Sequence, residues 1–273
     1  MIIKALAENI PISKDFGSEH GLSLHLEANG RKILFDVGAS ELFLDNSKKF
    51  NINISDVNYL IISHGHYDHG GGLNAFLRDN SKAEVFIHHL AFEKHYAKRL
   101  DEQLEFIGID EELKENKQII HTSDRFFIYK GIQVFSNITQ KEPIPSSNGG
   151  LLMEQDGQIV NDIFAHEQNL IVEEEGKTLL VTGCAHNGII NILEHFHTLK
   201  GCMPNYVIGG FHLSSHSGGN ESLENIEKIA NYLMKTKAKY YTCHCTGIEP
   251  YNRLKAIMGE NIDYLSSGSV IEI

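Results

Sequence analysis

Basic residues are scarce in this chain: 24 Lys and Arg stand against 36 Asp and Glu, a formal charge of −12 over 273 residues. An acidic surface of that kind repels phosphate backbones and disfavours general nucleic-acid binding. Cysteine is scarcer still. Cys184, Cys202, Cys243 and Cys245 are unevenly spaced, which excludes the disulfide framework of a small secreted domain and fits a reducing cytoplasm. No apolar run approaches the roughly 18 residues of a membrane span, and Met1-Ile2-Ile3-Lys4 meets a charge too soon for a secretory leader. Trp is absent, and a 41% hydrophobic content rules out collagen-like and disordered chains while supplying a sizeable core. Against these shortages stands one excess, 16 His.

Strand and helix signals alternate along the chain. Residues 1–7 and 21–27 are β-prone, and Asn29-Gly30 signals a hairpin turn before Lys32–Asp36. Residues 57–63 form a nearly continuous apolar run, as in a strand buried on both faces. Helices are expected at 41–50, 73–78 and 91–100, with a strand at 83–88. Residues 101–165 are the least regular part. They hold a charged helix, a strand pair over 125–138, and a connection with Pro143, Pro145 and Asn148-Gly149-Gly150 that could cover a site as a lid. Beyond it, strands at 169–174, 177–182, 205–209, 239–243 and 262–265 alternate with helices near 188–198, 221–235 and 249–258. One α/β domain over residues 1–273 is expected.

The histidines concentrate in one place. His64-x-His66-x-Asp68-His69 sets four potential ligands in six residues, directly after the apolar run. Imidazole and carboxylate together suit Zn²⁺, Fe or Mn²⁺, and the cluster holds donors enough for two divalent ions. In extended chain His64 and His66 project to one side, and a turn at Gly70–Gly72 lets Asp68 and His69 face a second ion.

These residues resemble the metallo-β-lactamase fold superfamily, whose motif is His-x-His-x-Asp-His. Leu34-Phe35-Asp36-Val37-Gly38 is similar to the family's strand before the first helix, where the Asp supports the metal loop. Glu19–Ser23, Ser63–Gly72, Thr182–Gly188, Gly209–Leu213 and His244–Gly247 together resemble one branch. That branch comprises metal-dependent hydrolases related to the dihydropterin ribofuranosyl-aminobenzene phosphate synthase of methanopterin biosynthesis. The resemblance implies an α/β fold, a four-layer αββα sandwich with a binuclear site at one edge.

It also implies roles for residues outside the motif. His244, after an apolar strand, stands where the superfamily has its last histidine, beside Asp68 and His69. Cys184 occupies the position of a bridging aspartate, and its softer thiolate tilts the metal toward Zn²⁺. His186 could ligate in its place or act as acid or base. His166, before a hairpin, is a candidate third ligand of the first ion, although the branch often has an acidic residue there. A metal-activated water would be the nucleophile, oriented by Asp68, and His212 or, second, His216 would protonate the leaving group. Glu19 and His20 would either contact substrate or cap a turn. Asn187, preceding a helix, would either help its amides hold a substrate phosphate or be an ordinary cap.

The function expected is a zinc-dependent hydrolase, or a phosphate-handling synthase or lyase, of a small molecule. Alternatives are a di-iron oxidoreductase, disfavoured by His66 and the missing flavin domain, and a non-catalytic binding protein, which would be expected to lose ligands. A homodimer is compatible with the exposed insert.

Overall fold

In the computed structural model, which describes residues 1–99, 101–215 and 219–273, alternation builds the architecture. Along Asn169–Glu174, Leu170 and Val172 enter one buried cluster and Ile171 another; Leu179 and Val181 part from Leu180 in the same way, and Ile33 and Phe35 from Leu34. A period of two with both faces apolar requires a sheet covered on each side.

Two seven-stranded sheets result. The first runs, edge to edge, Val270–Glu272, Ile2–Ala7, Ser23–Ala28, Arg31–Phe35, Tyr59–Ile62, Glu84–His88 and Ile119–Thr122. The second runs Ile262–Tyr264, Lys239–Thr242, Tyr206–Gly209, Lys177–Val181, Asn169–Glu174, Ile132–Phe135 and Arg125–Tyr129. Leu24, Phe35 and Ile61 of the first share a core with Val134, Leu170 and Ile208 of the second. Helices Leu42–Lys49 and Leu73–Asp79 cover the outer face of the first sheet through Phe43 and Phe76. Helices Ile189–Lys200, Leu223–Thr236 and Ile248–Met258 cover the other through Phe196, Ile226 and Leu254. The layers are αββα, as the motif resemblance implied. No helix among the described residues is long and apolar enough to cross a membrane.

Each sheet has a run of parallel strands. The loops that follow Ile62, Val181, Gly209 and Thr242 gather at one edge and carry residues 63–69, 184–186, 212 and 244.

The expected helix over 91–100 is not formed. His95–Lys98 is a strand whose side chains alternate buried and accessible, and it pairs with Leu151–Met153. Local preference favoured a helix; pairing with residues more than 50 positions away overrode it. The charged helix after 101 is likewise absent, replaced by the strand Leu104–Phe106 and a single 3₁₀ turn at Glu111–Leu113. Segment 101–165 divides among the sheets. Ile119–Thr122 joins the first, the hairpin 125–135 joins the second, and Leu151–Gln155 with Gln158–Asn161 completes a small four-stranded sheet with 95–98 and 104–106.

One histidine inside the first sheet has a consequence for stability. His25 is 1% exposed, neither ring nitrogen has a hydrogen-bond partner among the described residues, and burial pushes its pKa down to about 4. The unfolded chain binds this proton from near pH 6.5 downward, the folded chain only near 4, so stability falls as pH drops through that window. A His25→Leu variant is expected to lose about 2 kcal/mol of the acid sensitivity between pH 8 and pH 5. Urea unfolding at both pH values measures it; an unchanged pH dependence would contradict the assignment.

Candidate metal centre

The loop after Tyr59–Ile62 is anchored by one carboxylate. Asp36, at φ +60°, accepts the Ser63 amide at 2.6 Å and the Ser63 hydroxyl at 2.7 Å, and its Oδ2 also accepts His69 Nδ1–H at 2.7 Å. Having given its proton to Asp36, Ser63 Oγ accepts His64 Nδ1–H at 2.8 Å. Two other imidazoles are pinned in the same manner. His186 Nδ1 lies 2.8 Å from Asn148 Oδ1, and His244 Nδ1 lies 2.9 Å from Asn9 Oδ1. Holding Nδ1–H against an oxygen fixes the tautomer and leaves the Nε2 lone pair to point inward, the arrangement of a metal-ligating histidine.

The four Nε2 atoms do converge. His64 Nε2 and His186 Nε2 are 3.3 Å apart, and His69 Nε2 and His244 Nε2 are 3.2 Å apart. The edge of a tetrahedron with Zn–N bonds of ordinary length is about 3.3 Å. The neutral His64 and His186 nitrogens, facing each other with no proton between them, are poor neighbours unless a cation sits among them, so this donor pair fits a metal ion. His64, His66 and His186 form one group of potential ligand atoms; Cys184 groups both with His64 and His69 and with His186 and His212. Cys184 Sγ is 3.1 Å from His69 Nε2, and Asp68 Oδ2 is 3.2 Å from His244 Nε2. Two groups of donors therefore meet around one thiol.

Charge follows the same division. Burial, reinforced by neighbouring imidazoles, holds His64 and His186 well below the ordinary histidine range, so both stay neutral and able to ligate. For His244, burial is outweighed by the Asp68 hydrogen bond and nearby acidic groups, and its pKa rises to about 9, so in the metal-free chain its Nε2 shares a proton with Asp68 that a bound cation would displace. Burial pushes the Cys184 thiol up; a divalent cation would reverse that preference.

The remaining predicted residues fall in distinct places. His166 Nδ1 accepts the Gly65 amide at 2.9 Å and its Nε2 is 3.1 Å from Asp162 Oδ2, so both nitrogens already have partners. His20 lies against the centre, with Nε2 at 3.4 Å from Asp68 Oδ2. Glu19 turns away and caps a turn, accepting the Ala39 amide at 3.0 Å and the Ser40 hydroxyl. Asn187 also points elsewhere: it donates to Glu167 at 2.8 Å and accepts from Gln140 at 2.8 Å. His212 is 7% exposed, sits at φ +47° and has both ring nitrogens unpartnered among the described residues, its ring 4.2 Å from that of His186. His216 lies outside the described residues.

Sequence reasoning missed several contributors. His95 and Asp162 lie behind His66, and Glu8, wholly buried, accepts the His244 amide at 2.7 Å. Cys245 lines the site near Cys184 and His244 because the chain turns into a 3₁₀ segment at His244–Thr246. The proline-bearing connection reaches the centre as well: Asn148 holds His186, and Ser147 donates to the His212 carbonyl.

A cavity of about 230 Å³ opens over the donors. Asp68, His66, Cys184, His186, His212 and His244 form its floor, while Ala97, Arg99, Ile107 and Leu151 come from the small sheet. Among the described residues of that lining, Arg99 is the one Lys or Arg.

Comparison with known proteins agrees with this geometry. The model of the metallo-beta-lactamase superfamily matches residues 19–233. The chain is 31% identical to an uncharacterized protein of Methanocaldococcus jannaschii, with all of both chains covered. It is 30% identical to that organism's 7,8-dihydropterin-6-methyl-4-(beta-D-ribofuranosyl)-aminobenzene-5'-phosphate synthase, covering 99% of this chain and 96% of the relative. Among solved structures, Tm1679, described as a metal-dependent hydrolase of the beta-lactamase superfamily, superposes with a TM-score of 0.84 at 29% identity, over 100% and 99% of the two chains. With the His-x-His-x-Asp-His loop at the edge of an αββα sandwich, and the family model spanning most of its length, the chain belongs to the metallo-beta-lactamase superfamily.

Proposed function

We propose that the chain is a metal-dependent hydrolase, or a phosphate-handling synthase or lyase, acting on a small molecule. The observation that carries this is the set of four imidazoles whose Nδ1 atoms are pinned outward and whose Nε2 atoms converge. His64, His66 and His186 would hold one divalent ion; Asp68, His69 and His244 the other, with Cys184 between them. We read His186 as the third ligand in preference to His166, the residue the family resemblance implied, because both His166 nitrogens have partners. A thiolate among imidazoles favours zinc. Bound there, the ions supply a Lewis acid and a water nucleophile active near neutral pH.

The chain's own groups do the rest. Asp68 accepts a proton-bearing neighbour and orients it from the cavity floor, and His20 leans on it from the rim. His212 is placed to hand a proton to a leaving group, because it lines the cavity with its ring 4.2 Å from that of His186. Arg99 at the cavity wall and the hydroxyl of Ser214 suit an anionic group, and Ala97, Ile107 and Leu151 an apolar body. A phosphate-bearing small molecule fits both, in keeping with the phosphate in the name of the synthase relative.

The test is turnover of phosphodiester, lactone and thioester substrates by zinc-loaded and chelator-treated protein. At least one substrate should turn over, and only with metal. An iron-dominated preparation that consumes oxygen, or no turnover of any class, would overturn the proposal. In the same assay His212→Ala should lower kcat by roughly 10²–10⁴-fold for a poor leaving group. With a nitrophenolate, which needs no proton, the loss should be far smaller.

A further inference from the structure

Behind His66, on the side away from the cavity, lies a second cluster. His66, His95, Asp162 and His166 are all buried, and a potential ligand atom of each lies within 4.8 Å of the others. Its hub is Asp162, whose side chain is fully enclosed. Asp162 Oδ2 is 2.9 Å from His95 Nδ1, 3.1 Å from His166 Nε2 and 3.9 Å from His66 Nε2; Oδ1 accepts the Phe164 amide at 2.7 Å.

Both outer histidines grip the same peptide. His166 Nδ1 accepts the Gly65 N–H, which lies between His64 and His66. His95 packs on the other side: a β-carbon at Gly65 would lie 2.9 Å from His95 Nε2 and would also clash with the Ala91 carbonyl. The His64-Gly65-His66 backbone is thus clamped between two imidazoles held by one carboxylate. Asp36 performs the corresponding task for His69 from the opposite side.

We propose that Asp162 is the positioning residue of the first-ion site. Through His95 and His166 it fixes the His64-Gly65-His66 turn, and it places a carboxylate directly behind the ligand loop. The nearest alternative, that the cluster is a third ion site, is less economical, since Asp162 Oδ2 already has two imidazole N–H donors and His166 Nδ1 is occupied by the Gly65 amide. The inference rests on the reading of His64, His66 and His186 as ligands.

The test is cobalt titration of metal-free wild type, Asp162→Asn and His95→Phe, followed by visible absorption and by metal content after gel filtration. Thermal unfolding of each metal-free protein checks that it folds. Wild type should bind two equivalents. Asp162→Asn should bind one of the two equivalents about ten- to hundred-fold more weakly, while the other equivalent and its thiolate-to-cobalt band from Cys184 persist. His95→Phe, which keeps a ring over Gly65, should show a smaller loss of the same kind, and it serves alone if Asp162→Asn does not fold. Two unaltered equivalents in both variants would overturn the inference while leaving the metal centre intact. A third equivalent in wild type that His95→Phe abolishes would make the cluster an ion site and overturn it too. No cobalt bound by wild type would overturn the centre itself and the inference with it.

Discussion

His66→Ala is expected to lower kcat/KM by on the order of 10⁴-fold and to remove one of two bound ions. His66 is 4% exposed and its ring centroid lies 4.6 Å from that of His64 and 5.0 Å from that of His186. Its Nε2 is buried and has no hydrogen-bond partner among the described residues, so substitution strands no polar partner. Ala at this position leaves a small cavity and two imidazoles, too few donors to retain a divalent ion against water. The fold should survive: the loop backbone is still held by Asp36 at Ser63 and by His166 at Gly65. Activity and metal content should therefore fall together at an almost unchanged melting temperature. A variant that keeps more than a few per cent of activity would remove His66 from the site.

Asp36→Ala should have the opposite profile, a large loss of stability accompanied by loss of the other ion. Three donors, the Ser63 amide, the Ser63 hydroxyl and His69 Nδ1–H, converge on a carboxylate that is wholly buried. Removing it strands at least two of them away from water, a cost of about 3 kcal/mol or more. For a chain of this size the melting temperature should fall by on the order of 10 °C. His69 also loses the contact that sets its tautomer, which typically weakens a metal site by about ten- to hundred-fold. Asp36→Asn offers an intermediate: its amide can accept from one donor but confronts the others with N–H groups. Calorimetry and metal content measure both effects. An Asp36→Ala protein with the parental melting temperature would show that the anchoring role is misassigned.

Local patterning made some of this legible and left the rest hidden for identifiable reasons. Residues 57–63 had to be a strand covered on both faces, and the ligands of the next six residues had to leave its end together. His244 follows the same logic at the end of Lys239–Thr242. What could not be read was which side chains arrive from far away. His95 sat in a segment with helical composition, and only pairing with Leu151–Met153 turns it into a strand and points it inward. The four residues His95-Tyr96-Ala97-Lys98 carry no apolar alternation that would have marked a strand. Asp162 lies four residues before His166, a spacing that suggests nothing in a loop, until His95 is brought to it. Glu8 and Asn9 support His244 from 235 or more positions away. The preference for His186 over His166 in the proposed ligand set has a similar origin. Both lie near strand ends, and the distinction depends on Gly65 and Asp162 claiming the nitrogens of one while Asn148 pins the other.

The histidine excess that marked the sequence thus divides into functional layers. His64, His66, His69, His186 and His244 face the proposed ions, His20 and His212 line the cavity above them, and His95 and His166 stand behind. The most direct measurement of the centre is crystal diffraction from purified protein at wavelengths on either side of the zinc absorption edge. Two anomalous peaks should appear, one among His64, His66 and His186 and one among Asp68, His69 and His244, each within bonding distance of those imidazole nitrogens or the Asp68 carboxylate and with Cys184 Sγ between them. No peak at either position in metal-supplemented protein, or a single peak held by His95, Asp162 and His166, would contradict the two-ion centre.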